Sequence, residues 1–239
     1  MTRGKREFGD GPIYTITNYI FWLLMGSLYF MVLNIPLLLI LLIFFAVGNN
    51  PLPPYFTTVL FICCVPIGPA VTALLSVMGK LVREKDINIT KDFFQAYKIN
   101  FKQALFLWII QLALFQMFIF DAKIFVGYGF SIVFSWLMYA FAFFLFLISL
   151  YVFPILSRFS MKSSHIFKLS VYFCIKRFYI TFSNICIIVI VGYIFTKYSF
   201  IILFAASIIA YMIMYFEKKI LAEIEVKVRE QGKEAISVE

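Results

Sequence analysis

The sequence YIFWLLMGSLYFMVLNIPLLLILLIFFAV, from Tyr19 to Val47, is the strongest indication of the fold class of this chain. It lies within a longer region, from Gly11 to Gly79, that contains no Asp, Glu, Lys or Arg. Soluble proteins keep charged residues on their surfaces, whereas each charge near the centre of a bilayer costs several kcal/mol. The stretch therefore predicts an integral membrane protein.

The composition of the whole chain supports a bundle of spanning helices. Of its 239 residues, 63% are hydrophobic and 14% are charged, and the mean hydropathy is +0.96. The apolar runs are continuous and longer than the alternating strands of about ten residues that build a membrane barrel. A spanning helix needs about 20 apolar residues. The sequence predicts an all-α, polytopic membrane helix bundle of six transmembrane helices, at about 19–47, 55–78, 104–120, 130–156, 179–195 and 199–216.

The positions of the basic residues predict how the bundle faces the membrane. Of the 21 Lys and Arg residues, all but Lys123 and Lys197 lie at the N-terminus, in 80–102, in 157–178 or in the tail 217–239. Basic residues gather on the cytoplasmic side of membrane proteins. We therefore expect both termini in the cytoplasm, with a bundle over 1–216 and a cytoplasmic helical tail. The net charge of +9 lies in these short segments, which favours membrane lipids as partners and argues against nucleic acid.

Two of the cytoplasmic segments carry amphipathic patterns. One begins at Thr90, with Phe93 on its apolar face, and ends at Lys102; the other runs from Ser164 to Lys176. Such patterns are typical of helices that lie at the membrane interface. In both segments the first hydroxyl residue and the last basic residue are twelve positions apart. A parallel repeat of span, interfacial helix and span would produce this equal spacing. Any interfacial helix can also produce it, and we favour that simpler interpretation.

Proline residues interrupt the first two predicted spans. Pro36 lies inside the first, and Pro66 and Pro69 flank Gly68 in the second. Proline removes a backbone hydrogen bond and kinks a helix. Because non-helical backbone at membrane depth must be covered by protein, we expect the second span to lie inside the bundle.

The sequence contains little that suggests catalysis. The single histidine, His165, lies in a basic segment, and no motif for a nucleophile, a nucleotide or a metal is present. We therefore predict no catalytic, cofactor-binding or metal-binding residues, and no enzyme. If the chain is a transporter, Thr72, Gln111 and Asn184 are the candidates to line a polar cavity between the second, third and fifth spans. Such residues also bind helices to each other through hydrogen bonds.

One segment carries a family resemblance. The string VPIGPAVTAL at 65–74 is followed by GKLVR at 79–83, DFF at 92–94 and NFKQ at 100–103. This order resembles the YesL-like family of bacterial multi-span membrane proteins, a family of unknown function. Phe153 and Pro154 before Arg158 look like its later region. The matched positions to which we assign a structural role are Pro66, Gly68, Pro69, Thr72, Asp92, Phe93 and Asn100.

The resemblance implies a context more than an activity. Proteins of this family look like small plasma-membrane proteins that are often encoded beside genes for carbohydrate uptake and polysaccharide degradation. We therefore expect a non-enzymatic accessory or regulatory partner in bacterial carbohydrate uptake. Its partners would be carbohydrate ABC transporter subunits or further copies of itself. The alternative is a small transporter or permease that acts directly on a sugar or another small solute.

Overall fold

The computed structural model describes residues 12–47, 56–85, 87–127, 132–198 and 202–236. These residues form helices and short links, with no strand among them, which confirms the predicted all-α class. The helices are α1 (Pro12–Leu33), α2 (Ile35–Val47), α3 (Phe56–Cys63), α4 (Ile67–Glu84), α5 (Ile89–Gly127), α6 (Ile132–Arg158), α7 (Ser163–Lys176), α8 (Phe178–Lys197) and α9 (Ile202–Ile236).

The lengths of the apolar helices support a multi-pass membrane protein. Among the described residues, four stretches are long and apolar enough to cross a bilayer: Tyr14–Leu33, Thr58–Glu84, Ile89–Ala122 and Ile132–Arg158. A fifth exists only if α7 and α8, which are bent by 92°, form one broken span. The predicted count of six spans is therefore not confirmed. The described apolar part of α9 covers only residues 202–216 before three consecutive charged residues begin.

The predicted first span is two helices. The break falls at Asn34, two residues before Pro36, because the proline nitrogen cannot donate to the carbonyl of Val32. At the break, the side-chain amide of Asn34 donates a hydrogen bond to the carbonyl of Phe30, one turn earlier, at 2.8 Å. The second piece, α2, has 13 residues and is too short to cross a bilayer alone.

The second predicted span is interrupted at its prolines, as the sequence predicts. A turn at residues 64–66 separates α3 from α4, and Pro69 lies in the first turn of α4, where a missing N–H needs no partner. Only the α4 half of this span lies inside the bundle as expected, where it packs against α1, α5, α6 and α9; α3 packs against α2 and leaves Val59 and Ile62 exposed. The fully buried α4 residues Met78 and Leu81 join Phe93 of α5 in the core.

Of the two predicted interfacial helices, only the second is a separate helix in the structure. The first is not a separate element, because α5 runs without a break for 39 residues from Ile89 to Gly127. No Gly or Pro interrupts it before Gly127, and each added residue gains a hydrogen bond. At 1.5 Å per residue it is about 58 Å long, so it extends beyond the roughly 30 Å of hydrocarbon. The second is separate and forms α7, which turns sharply into α8.

The last helix continues without a break across the predicted boundary between bundle and tail. Ile220, Leu221 and Ile224 of α9 are each 1% exposed and belong to the core. The first turns of the predicted tail are therefore part of the packed protein.

Candidate functional site at the basic end of the bundle

The basic segments meet at one end of the helices. Lys80 Nζ of α4 lies 2.9 Å from a carboxylate oxygen of Asp92 on α5. Arg158, at the end of α6, pairs with Glu225 of α9. The second contact joins segments that are far apart in the sequence, and residues from 80–100 and 156–160 line one pocket, so these segments lie at one pole, called the basic end below. If all the basic segments are on one side of the membrane, they must lie at the same end of the helices, as these segments do here.

A polar pocket of about 370 Å³ lies at the basic end. It is lined by α4, the start of α5, the end of α6 and the link between α6 and α7. Its walls combine hydroxyl, amide and charged groups with a few apolar side chains. The lining residues are Ser76, Val77, Lys80, Asp92, Gln95, Ala96, Ile99, Asn100, Leu156, Ser157, Arg158, Phe159 and Ser160.

Asp92 organises the turn beside this pocket. Its two oxygens accept hydrogen bonds from Lys80 Nζ at 3.0 and 2.9 Å, and one of them accepts from the backbone N–H of Asn88 at 3.1 Å. Lys85 takes the left-handed conformation, with φ of 59°, that ends α4. A carboxylate in the first turn of α5 also interacts favourably with the positive end of the helix dipole.

Gln103 of α5 binds the α6–α7 link next to the pocket. Its side-chain amide donates to the carbonyl of Met161 at 2.6 Å and to the hydroxyl of Ser163 at 3.2 Å. These bonds fix the α6–α7 link against α5. Asn100, one turn earlier, donates to the carbonyl of Ala96 at 3.2 Å and lines the pocket.

Other matched positions serve packing. A Cβ atom added to Gly68 would lie 2.4 Å from Cβ of Trp108, so α4 and α5 approach each other too closely there for any other residue. The indole N–H of Trp108 donates to the carbonyl of Cys64 at 2.8 Å, in the turn that precedes Pro66. Thr72 donates to the carbonyl of Gly68 at 2.9 Å. The matched positions therefore divide into packing residues and the two pocket residues, Asp92 and Asn100.

A second cavity, of about 600 Å³, lies between α4, α5, α6 and α9. Almost all of its wall is apolar, but Gln111 lines it, and neither atom of the Gln111 side-chain amide has a hydrogen-bond partner. Thr72 and Asn184 do not line this cavity. The structure therefore does not bring the three transporter candidates together in one polar cavity.

Asn184 has a partner that the sequence reasoning missed. Its side-chain amide donates to Oε1 of Glu217 at 2.9 Å, and Glu217 is completely buried. The predicted boundary made Glu217 the first residue of a cytoplasmic tail. The signal that identifies it is its position on the apolar stripe of α9, which consists of Ile213, Met214, Ile220, Leu221 and Ile224.

Comparison with known proteins places part of the chain near a family of unknown function. Residues 16–122 match the family model described as "Protein of unknown function, DUF624". No curated protein and no solved structure matches the chain. The matched region includes Lys80, Asp92 and Asn100, whereas Arg158 and Glu217 lie beyond it. Within the described residues, no group of three His, Cys, Asp or Glu side chains is arranged to hold a metal ion.

Proposed function

We propose that this chain is a non-enzymatic accessory protein of the YesL-like type, which serves carbohydrate uptake in a bacterial plasma membrane. The observation that carries the proposal is the polar pocket at the basic end. Its walls come from three separate parts of the chain and are held by Lys80–Asp92, Arg158–Glu225 and the bonds of Gln103. A preformed, charged and hydrogen-bonding surface of this kind suits a transporter subunit as partner, because complementary charges set specificity at interfaces.

The proposal places the basic end and both termini in the cytoplasm, in agreement with the positive-inside rule. The test uses a variant without native cysteines and an impermeant maleimide on intact cells. Lys197→Cys, an exposed position near the end of α8, is expected to react. Lys85→Cys, an exposed position at the α4–α5 turn, is expected to react only after the cells are opened. Reaction of Lys85→Cys in intact cells would reverse the orientation.

The partner is tested by purification from cells in a mild detergent. Wild-type protein is expected to retain a carbohydrate transporter subunit, and Asp92→Asn together with Asn100→Ala is expected to lose it. Phe143→Ala is the control, because Phe143 is 54% exposed on the apolar surface of α6, away from the pocket. Recovery of the wild-type chain alone, with normal sugar uptake after its deletion, would reject an accessory role.

Direct transport is the second candidate, and the 600 Å³ cavity favours it. A cavity of this size is in the range that holds small ligands, and the unpaired amide of Gln111 supplies one polar contact inside it. Transport predicts sugar uptake into vesicles that contain only this protein, and loss of uptake in Gln111→Leu. Vesicles that take up no sugar, from a protein that cells require for uptake, would favour the accessory role.

A further inference from the structure

The buried pair of Glu217 and Asn184 has an unusual pattern of satisfied and unsatisfied atoms. Asn184 Nδ2 donates to Glu217 Oε1 at 2.9 Å. The two remaining polar atoms of these side chains, Asn184 Oδ1 and Glu217 Oε2, are both buried and both lack a hydrogen-bond partner. If the carboxyl group is ionised, both atoms can only accept hydrogen bonds, so neither can satisfy the other.

The surroundings of Glu217 do not stabilise a negative charge. Among the described side chains, no Lys or Arg forms an ion pair with it; Arg158 and Arg177 pair with Glu225 and Glu223 further along α9. A buried charge without a counter-charge is strongly unfavourable, and a carboxyl group avoids that penalty by keeping its proton. A protonated oxygen is also a donor, which is what the pair lacks.

We propose that Glu217 is a proton-binding site, occupied in the folded protein. The carboxylate takes one proton from water onto Oε2, and the resulting O–H donates to Asn184 Oδ1, while Oε1 continues to accept from Nδ2. Carboxylic acid and carboxamide then form a ring closed by two hydrogen bonds. The proposal is independent of the accessory role, because it concerns the contact between α8 and α9 only.

The groups around this ring are neutral or weakly acidic. From α6, Tyr151 is fully buried and shares a 2.8 Å hydrogen bond with the hydroxyl of Thr181 on α8. From α7, Cys174 is buried, and its carbonyl accepts from Thr181 at 3.3 Å. α1 contains no charged residue, and the cations Lys80 and Arg83 of α4 lie among the charges of the basic end. Release of the proton would leave a bare carboxylate facing Asn184 Oδ1 and would weaken the packing of α8 on α9.

Infrared spectroscopy of the full chain in lipid nanodiscs tests for the proton directly. At pH 7, the wild type is expected to show a carboxylic-acid carbonyl band that is absent from Glu217→Gln. Glu225→Gln is the matched control, since Glu225 lies on the same helix but pairs with Arg158; it is expected to retain the acid band and to lose carboxylate absorption. An identical acid region in wild type and Glu217→Gln would overturn the proposal.

Thermal unfolding provides a second test that needs no spectroscopic assignment. Gln at position 217 keeps an acceptor and replaces the O–H donor with an N–H donor, so Glu217→Gln is expected to unfold at the wild-type temperature. Glu217→Ala leaves both polar groups of Asn184 unpaired and opens a cavity, so its unfolding temperature is expected to fall by several degrees. If Glu217→Gln is destabilised as much as Glu217→Ala, the proposal is wrong.

Discussion

The segments Thr90–Lys102 and Ser164–Lys176 have the same length and the same kind of amphipathic pattern, but they have different structures. The first is an undivided part of α5, whereas the second is α7, which ends at a 92° corner. An amphipathic pattern therefore identifies a helix and its buried face but does not show whether the helix continues into the next span.

Tertiary contacts explain the corner between α7 and α8. Arg177 leaves the helical conformation, with φ of −114° and ψ of 47°. The hydroxyl of Thr181 donates to the carbonyl of Cys174 at 3.3 Å, and the Arg177 side chain binds Glu223 of α9 at 3.0 Å. These contacts compensate for helical hydrogen bonds that the turn removes. The segment Thr90–Lys102 contains no such break, and α5 continues through it to Gly127.

The largest expected effect comes from introducing proline into each segment. Lys102→Pro interrupts α5 at the point where the pattern suggests a boundary, and it should destabilise the protein by about 3 kcal/mol or more. Lys162→Pro is the matched control before α7, because Lys162 already has φ of −60° and ψ of 139°. It should leave stability unchanged or raise it by up to about 1 kcal/mol. Denaturant unfolding in detergent measures both; equal losses would contradict the difference between the segments.

Glycine substitutions in α4 and α8, the helices next to the two segments, should have a smaller effect. Gly68→Ala forces α4 and α5 apart at Trp108 and should cost about 1–3 kcal/mol. Gly192→Ala in α8 has no neighbouring atom within 4 Å of the new Cβ. It should gain about 0.5–1 kcal/mol from its higher helix propensity. The same unfolding measurement applies, and a neutral Gly68→Ala would show that the close contact is not required.

Removal of one hydroxyl from each region should have a still smaller effect. Thr181→Val eliminates buried hydrogen bonds to Tyr151 and Cys174 at the corner, and it should destabilise the protein by about 1–2 kcal/mol. Thr90→Val eliminates an exposed bond to Tyr29 and should lower stability by less than about 0.5 kcal/mol. Thermal unfolding of the pair tests whether the Thr181 contacts hold the corner; a larger loss for Thr90→Val would indicate that they do not.

The smallest effect is expected from Glu223→Gln, which removes the ion pair with Arg177. Both side chains are partly exposed, and such pairs are screened by salt. We expect a small decrease in unfolding temperature at low salt that disappears at high salt. A decrease that persists at high salt would show that Glu223 contributes through packing as well.

The sequence predicted the features that depend on local chemistry. Helices are interrupted near Pro36 and at Pro66, as their prolines predict. Both ends of α6 lie within two residues of the ends of the predicted span 130–156. The residues Asp92 and Asn100 were singled out, but the pocket that they share with Arg158 depends on contacts across three parts of the chain. Glu217 was assigned to the start of the cytoplasmic helical tail, and charged residues are almost never fully buried unless they are paired. Its burial depends on the helix face that α8 covers.

The amino-acid sequence alone indicated a multi-pass membrane protein, since the free energy of transfer excludes charges from stretches that lie in the hydrocarbon of a bilayer. It also indicated where the interior of a helix loses a backbone hydrogen bond, since proline at such a position has no N–H to donate. The folded structure was needed to show which of the two similar segments ends at a corner, which polar residues share a pocket, and that Glu217 faces Asn184. These outcomes depend on partners distant in the chain, whose hydrogen bonds and packing outweigh local preference.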